Sequence, residues 1–189
     1  MKKAKVLIFN GSPRQNGYTA KLLKEVALGA QNAGAEIKEY NLCHAEISGC
    51  QSCFYCRHNE GCSVNDYLRP MYEDIKSATG IAFGSPIYFY QITGQAKQWL
   101  DRMFPMIDMK GSTPVPRYPG KKTVTVFAQG NADKEAFSAS IQSFNNFFTA
   151  FGWTVLGSLT CAGTSQNIPD LQDLLAQAYT LGFSLGELS

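Results

Sequence analysis

The hydrophobic positions of the chain fall into two alternating kinds of run. Residues 4–9, 35–42, 80–83, 123–128 and 154–161 are short, apolar or β-branched and bounded by turn residues, which predicts five buried strands. The second is the most polar. It alternates Glu36, Lys38 and Asn41 with Ile37, Tyr40 and Leu42, as an edge strand with one partly exposed face would. Between the strands the period changes to that of a helix. Leu22, Leu23, Val26, Ala27 and Ala30 form one stripe before an Ala33-Gly34 stop, and Trp99, Leu100, Met103 and Phe104 form another, closed by Pro105. Phe137, Ile141, Phe144, Phe148 and Phe151 mark a third helix ending at Gly152. The last opens at Pro169, with Leu171, Leu174, Leu175, Ala178 and Leu185 on one side. A weaker helix spans 66–77, and residues 108–120, rich in Pro and Gly, read as one long surface loop.

Regular β-α alternation over five strands implies a parallel sheet with right-handed crossovers and helices on both faces, a doubly wound α/β domain. Ligands of such folds bind beyond the carboxyl ends of the strands, so the loops after the first, third and fourth strands are the candidate site. With 189 residues and 44% hydrophobic content, one domain with a real core is expected over 1–189. A formal charge of +2 lacks the clustered basic balance of a nucleic-acid binder, so no DNA or RNA partner is expected. The run Val6-Leu7-Ile8-Phe9 is too short for an export signal or a membrane span, which suggests a cytoplasmic protein with no membrane partner.

The first strand leads into Asn10-Gly11-Ser12-Pro13-Arg14-Gln15-Asn16-Gly17-Tyr18-Thr19 and then directly into a helix. Unpaired N–H groups at the helix start, the Ser and Thr hydroxyls and Arg14 make an anion cradle suited to a phosphate. Five residues separate Gly11 from Gly17, and Tyr18 stands where a Walker lysine would, so this is neither a P-loop nor a GxGxxG turn. Gly, Ser, Pro and Asn also make up ordinary strand-to-helix turns. The loop after the third strand, Gly84-Ser85-Pro86-Ile87-Tyr88-Phe89-Tyr90-Gln91-Ile92-Thr93-Gly94, sets three aromatics in a row at a strand's carboxyl end. A flat aromatic ligand could stack there. Alternatively the rings fill the core or a subunit contact.

Together, GSPRxNGxT and GSPIYFxxxTGQxKxxLDR resemble the motifs of the NADPH-dependent FMN reductase branch of the flavodoxin-like superfamily, in the expected order and over nearly the whole chain. The resemblance implies a flavodoxin-like three-layer sandwich with strand order 2-1-3-4-5. It implies that Ser12, Arg14, Asn16, Gly17, Tyr18 and Thr19 hold the FMN phosphate and that Pro86, Ile87, Tyr88 and Phe89 line the isoalloxazine. Gln129, Gly130 and Asn131 would approach the pyrimidine edge. Relatives commonly place the flavin near a subunit interface, which leads us to expect a homodimer or homotetramer.

Four of the six cysteines, Cys50, Cys53, Cys56 and Cys62, crowd into a loop at 43–65 with C-x2-C-x2-C-x5-C spacing. In a chain without an export signal this indicates metal or redox chemistry rather than a disulfide framework. Four thiolates in one compact run are the usual ligand set of a [4Fe–4S] cluster. The spacing resembles that of the iron-sulfur flavoproteins, which share the flavin motifs. Zinc accepts four thiolates too, usually from two separated CxxC knuckles, and many relatives carry free thiols here. Cys43 and Cys161 read as packing residues, His44 and His58 as solvated loop residues or, alternatively, as a metal ligand beside the cysteines, and Asp101-Arg102 as either a family motif or a structural ion pair.

A flavin carries its own redox chemistry, so no catalytic acid or base is required, and no Ser-His-Asp or Cys-His arrangement is evident. The leading expectation is an FMN-dependent oxidoreductase moving electrons from NAD(P)H to a quinone, a nitro or azo compound, or free flavin. The alternative is an iron-sulfur flavoprotein taking electrons from ferredoxin through the cluster and FMN. A regulatory flavoprotein is the third.

Overall fold

The computed structural model describes residues 3–109, 111–166 and 171–188. Five parallel strands, β1 (Lys5–Asn10), β2 (Glu36–Asn41), β3 (Gly80–Tyr88), β7 (Lys122–Ala128) and β8 (Thr154–Cys161), form a sheet in the order β2-β1-β3-β7-β8. This is the expected 2-1-3-4-5 order, with the polar second strand at an edge. The intervening β4 (Gln91–Ile92) folds back antiparallel on the end of β3, and β5 (Ile107–Asp108) pairs with β6 (Val115–Pro116).

Alternation along each central strand feeds two separate cores. In β1, Val6 and Ile8 face a cluster with Leu22, Leu23 and Val26 of α1 (Tyr18–Asn32), while Leu7 and Phe9 face the opposite cluster. That second cluster holds Met71 and Ile75 of α3 (Met71–Ser77), Trp99 of α4 (Gly94–Asp101), and Phe144 and Phe148 of α5 (Ser138–Ala150). Phe83 lies at its centre, stacked on Trp99 at 5.0 Å and on Phe144 at 4.5 Å. On the α1 face, α6 (Leu171–Gly186) approaches α1 backbone to backbone. A Cβ on Gly182 would lie 2.1 Å from the carbonyl oxygen of Val26, so this crossing exists only because the residue has no side chain. The expected helix start at Pro169 lies outside the described residues.

Three local expectations are corrected. Strand β3 does not stop at Phe83: Ser85 pairs with Phe127 and Pro86 with Ala128. Proline is tolerated there because β1 stops pairing at Gly84, so the missing N–H faces no ladder. The weak helix begins at Met71 rather than at 66, because Asp66 is engaged by Arg102 and by the backbone N–H groups of Ser48 and Leu68. The long loop contains the β5–β6 hairpin, tied by Arg117 to Asp108 at 2.9 Å. No described helix is long and apolar enough to cross a membrane.

Candidate active site

The order of strands reverses between β1 and β3, and a cleft of about 440 Å³ opens at their carboxyl ends, within the range of small-molecule sites. It is lined by Ser12, Arg14, Asn16, Gly17, Tyr18 and Thr19 from the first loop, by Pro86, Ile87 and Tyr88 from β3, and by Gly130. Ten of the thirteen expected cofactor residues therefore meet in one place, although the two main segments lie about 70 residues apart.

Helix α1 starts at Tyr18 after Gly17, with no side-chain cap, and its first residues line the cleft, so that end offers helix N–H groups to a ligand. The Ser12 hydroxyl folds the loop by donating to the carbonyl of Arg14 at 3.3 Å and accepting from the Arg14 N–H. Thr19 and Ser12 are buried, whereas Arg14 and Asn16 are exposed at the rim. An uncapped helix start beside hydroxyls and a guanidinium is the donor set a phosphate ester needs, and the residues present fit FMN.

Three expected residues do not line the cleft. Gln129 is buried and turned inward, its side-chain N–H donating to the carbonyl of Asp133 at 2.6 Å. The Gln129 Oε1 atom has no hydrogen-bond partner among the described residues. The Asn131 side chain accepts from the N–H of Asp133. Phe89 projects into solvent at 96% exposure, which rules out the core as its place. Lys21, Ala128 and Thr164 line the cleft without having been anticipated. Lys21 sits one turn along α1 from Tyr18, and Ala128 ends β7, so helical period and strand end were their signals. Thr164 follows the fifth strand, in a loop that carries no local motif for a ligand.

The four loop cysteines line a second, largely apolar cavity of about 250 Å³, together with Phe54, Tyr55, Val64, Arg102, Phe104 and Pro105. The loop turns through left-handed residues at Ser52 and Phe54 into the short α2 (Tyr55–His58). Arg102 holds both ends of the loop. Its fully buried guanidinium donates to both oxygens of Asp66, to the carbonyl of Ser48 at 2.9 Å and to that of Val64. Asp101 pairs instead with Lys97, so Asp101 and Arg102 form no ion pair with each other. The Ser63 hydroxyl and backbone groups beside Cys53 push its thiol pKa down, while burial pushes that of Cys56 up. Among the described residues no three His, Cys, Asp or Glu side chains converge on the position of one metal ion. His44 and His58 are exposed, and Cys161 is buried in the core with its pKa pushed up to about 11 by desolvation.

An iron-sulfur flavoprotein of Methanocaldococcus jannaschii is 31% identical over 154 residues, covering 81% of this chain and 76% of the relative. Alignments to further iron-sulfur flavoproteins, from the same organism and from Methanosarcina thermophila, span about half the length of those chains. An NAD(P)H:quinone oxidoreductase from Methanothermobacter marburgensis superposes with a TM-score of 0.78 at 17% identity, over 97% of this chain and 100% of the other. An FMN-dependent NADH-azoreductase from Bacillus anthracis, in complex with FMN, gives 0.72 at 15% identity over 97% and 100% of the two chains. These two likenesses establish the flavodoxin-like fold. The family model of the NADPH-dependent FMN reductases matches residues 4–167, most of the strand and helix framework described above. The chain therefore belongs to the NADPH-dependent FMN reductase family, flavin-dependent oxidoreductases of flavodoxin-like fold.

Proposed function

We propose that the cleft binds FMN and that the protein passes electrons from NAD(P)H to a small acceptor, of the quinone, nitro, azo or flavin class. The observation that carries this is the meeting of the uncapped α1 start and the Pro86–Tyr88 wall in one cleft. The N–H groups at Tyr18 and Thr19, with Ser12 and Arg14, hold the phosphate. Pro86, Ile87 and Tyr88 form the wall for the ring system, with Gly130 at the far rim. Bound FMN supplies redox chemistry that no side chain offers, accepting electrons in pairs and releasing them singly or in pairs. The protein's own work is to bind, orient and limit access, and no side chain has to move a proton.

A second reading has a specific observation behind it: four cysteines line one cavity, and a curated relative aligned over 81% of this chain carries the name iron-sulfur flavoprotein. A single zinc requires thiolates drawn together to about 3.8 Å, from its bond length and tetrahedral geometry. Cysteines spaced around a cavity suit a polynuclear group better. In this reading Cys50, Cys53, Cys56 and Cys62 ligate a [4Fe–4S] cluster, which supplies one-electron transfer, and reduced ferredoxin is a natural donor. A cytoplasmic homodimer or homotetramer fits both readings.

Anaerobic purification followed by assay of FMN, iron, acid-labile sulfide and zinc per chain tests both. FMN with about four irons and four sulfides supports the cluster. FMN without metal leaves a flavin reductase with free thiols, and zinc alone removes the cluster. Failure to bind added FMN refutes the main reading, while FMN binding without NAD(P)H oxidation points to a redox sensor.

A further inference from the structure

Strand β3 returns into β4 through a two-residue hairpin, with Tyr88 opposite Gln91 and Ile87 opposite Ile92. The two turn residues, Phe89 and Tyr90, both lie in the left-handed region, at φ 47° and 70°. That is the backbone of a type I′ turn, whose favoured residues are Asn-Gly because bulky L side chains are strained there. Two aromatics at this position run against the local rule.

Among the described residues, only edge-on ring contacts offset that strain. Phe89 is 96% and Tyr90 63% exposed. Their ring contacts are edge-on: Phe89 to Tyr90 at 6.1 Å, and Tyr90 to Phe137 at 5.3 Å. The preceding residue, Tyr88, is itself half-exposed and lines the cleft. Phe89 and Tyr90 form the turn that follows Tyr88, in a segment, 88–92, with no charged residue. Strained backbone and unburied aromatic surface, directly continuous in the chain with the cleft-lining Tyr88, mark a functional site.

We infer that Phe89 and Tyr90 form a stacking wall that selects a planar, uncharged, conjugated electron acceptor at the mouth of the cleft. Phe89 is then an acceptor contact, and the flavin wall ends at Tyr88. This rests on the FMN reading above, because the wall matters only if the cleft holds the electron donor to that acceptor.

The test is the double variant Phe89→Asn with Tyr90→Gly, which supplies the favoured turn residues and keeps the hairpin while removing both rings. The FMN-loaded wild type and variant are compared with NADPH as donor and either 1,4-naphthoquinone or ferricyanide as acceptor. The expected result is a KM for naphthoquinone raised roughly three- to tenfold, the loss of about one aromatic stacking contact. The ratio of kcat/KM for naphthoquinone to that for ferricyanide falls by a similar factor, and the melting temperature holds or rises as the turn strain is relieved. An unchanged ratio overturns the inference. So does a change in sedimentation that alone tracks the loss of activity, which would make the rings a contact between copies of the chain. FMN affinity, measured separately by quenching of flavin fluorescence, isolates failure of the underlying reading: a wild type that binds no FMN defeats that reading, not the role of the turn.

Discussion

Thr93 Oγ1 donates a 2.8 Å hydrogen bond to the carbonyl of Gly11, joining the end of the aromatic hairpin to the start of the phosphate loop. The same oxygen accepts from the N–H of Ala96, capping α4, and the Thr93 N–H donates to the Ser85 hydroxyl. One buried threonine therefore fixes the two walls of the cleft relative to each other. Thr93→Val keeps the shape and removes the hydroxyl. The loss of a cap and of a buried hydrogen bond is expected to cost about 2 kcal/mol of stability. FMN affinity falls roughly tenfold. Thermal denaturation and flavin-fluorescence titration check both effects, and Thr93→Ser restores most of each.

Gly84 presses against the first turn of α1. A Cβ there would sit 2.7 Å from Leu23 Cδ1 and 2.8 Å from Thr19 Cγ2. Leu23 can rotate, but the branched Thr19 cannot easily do so, and the helix start that faces the phosphate must shift. Gly84→Ala is expected to destabilise by about 1–3 kcal/mol, as overpacked sites do. FMN binding weakens with it, measured by denaturant titration with and without the flavin.

Arg102 is the internal post on which the cysteine loop hangs. Arg102→Lys keeps the charge but lacks the planar fork that reaches Asp66 and two carbonyls at once. Leaving the half-buried Asp66 carboxylate partly paired is expected to cost about 2 kcal/mol. Limited trypsinolysis, cutting at Arg57 within the loop, should accelerate in the variant well before global unfolding.

Asp74 gives the protein an acid-sensitive cluster. Burial alone would raise its pKa, but hydrogen bonds from Lys38, Lys5 and Tyr40 outweigh that and hold it at about 2, against 3.8. The unfolded chain therefore binds the proton first. The stabilisation is complete above the unfolded value and is lost as pH falls through about 2. Asp74→Asn should lower stability at neutral pH by about 2 kcal/mol and flatten its fall between pH 4 and 2. Urea midpoints across that range measure the difference.

Lys121 acts in the opposite sense. Buried with its ammonium donating to the carbonyl of Ala78 at 2.7 Å, it has its pKa pushed down by desolvation to about 8, from 10.5. The folded state holds this proton less tightly than the unfolded chain, so the charge is a full penalty below about pH 8 and fades toward 10.5. Wild-type stability relative to Lys121→Met should therefore climb across that interval, and urea titrations at pH 7, 9 and 10.5 would show it. A constant difference would mean that the lysine does not titrate there.

Much of the fold is legible in local pattern. Apolar runs of strand length alternating with helical stripes specify a parallel sheet covered by helices, because each crossover has one favoured hand, while the strand order comes from the resemblance to the flavodoxin-like family. The donors of the phosphate loop and the cysteine spacing are likewise written in consecutive residues. Where local pattern failed, a distant partner had decided. Gly84-Ser85-Pro86 reads as a turn, yet it is strand because β7 pairs with it. Asp101 is adjacent to Arg102 in sequence, yet Arg102 pairs with Asp66.

The sequence by itself determined the elements, their order and the chemistry each loop could offer, since propensity, periodicity and turn residues act over a few positions. Only the tertiary structure decided that residues 12–19 and 86–88 face one cleft, that Gln129 turns inward, and that four cysteines share one cavity. It also placed Phe89 and Tyr90 outside the core on a left-handed turn. These are long-range outcomes, set by which buried polar groups find partners and which surfaces can close together, and no window of neighbouring residues contains both sides of such a contact.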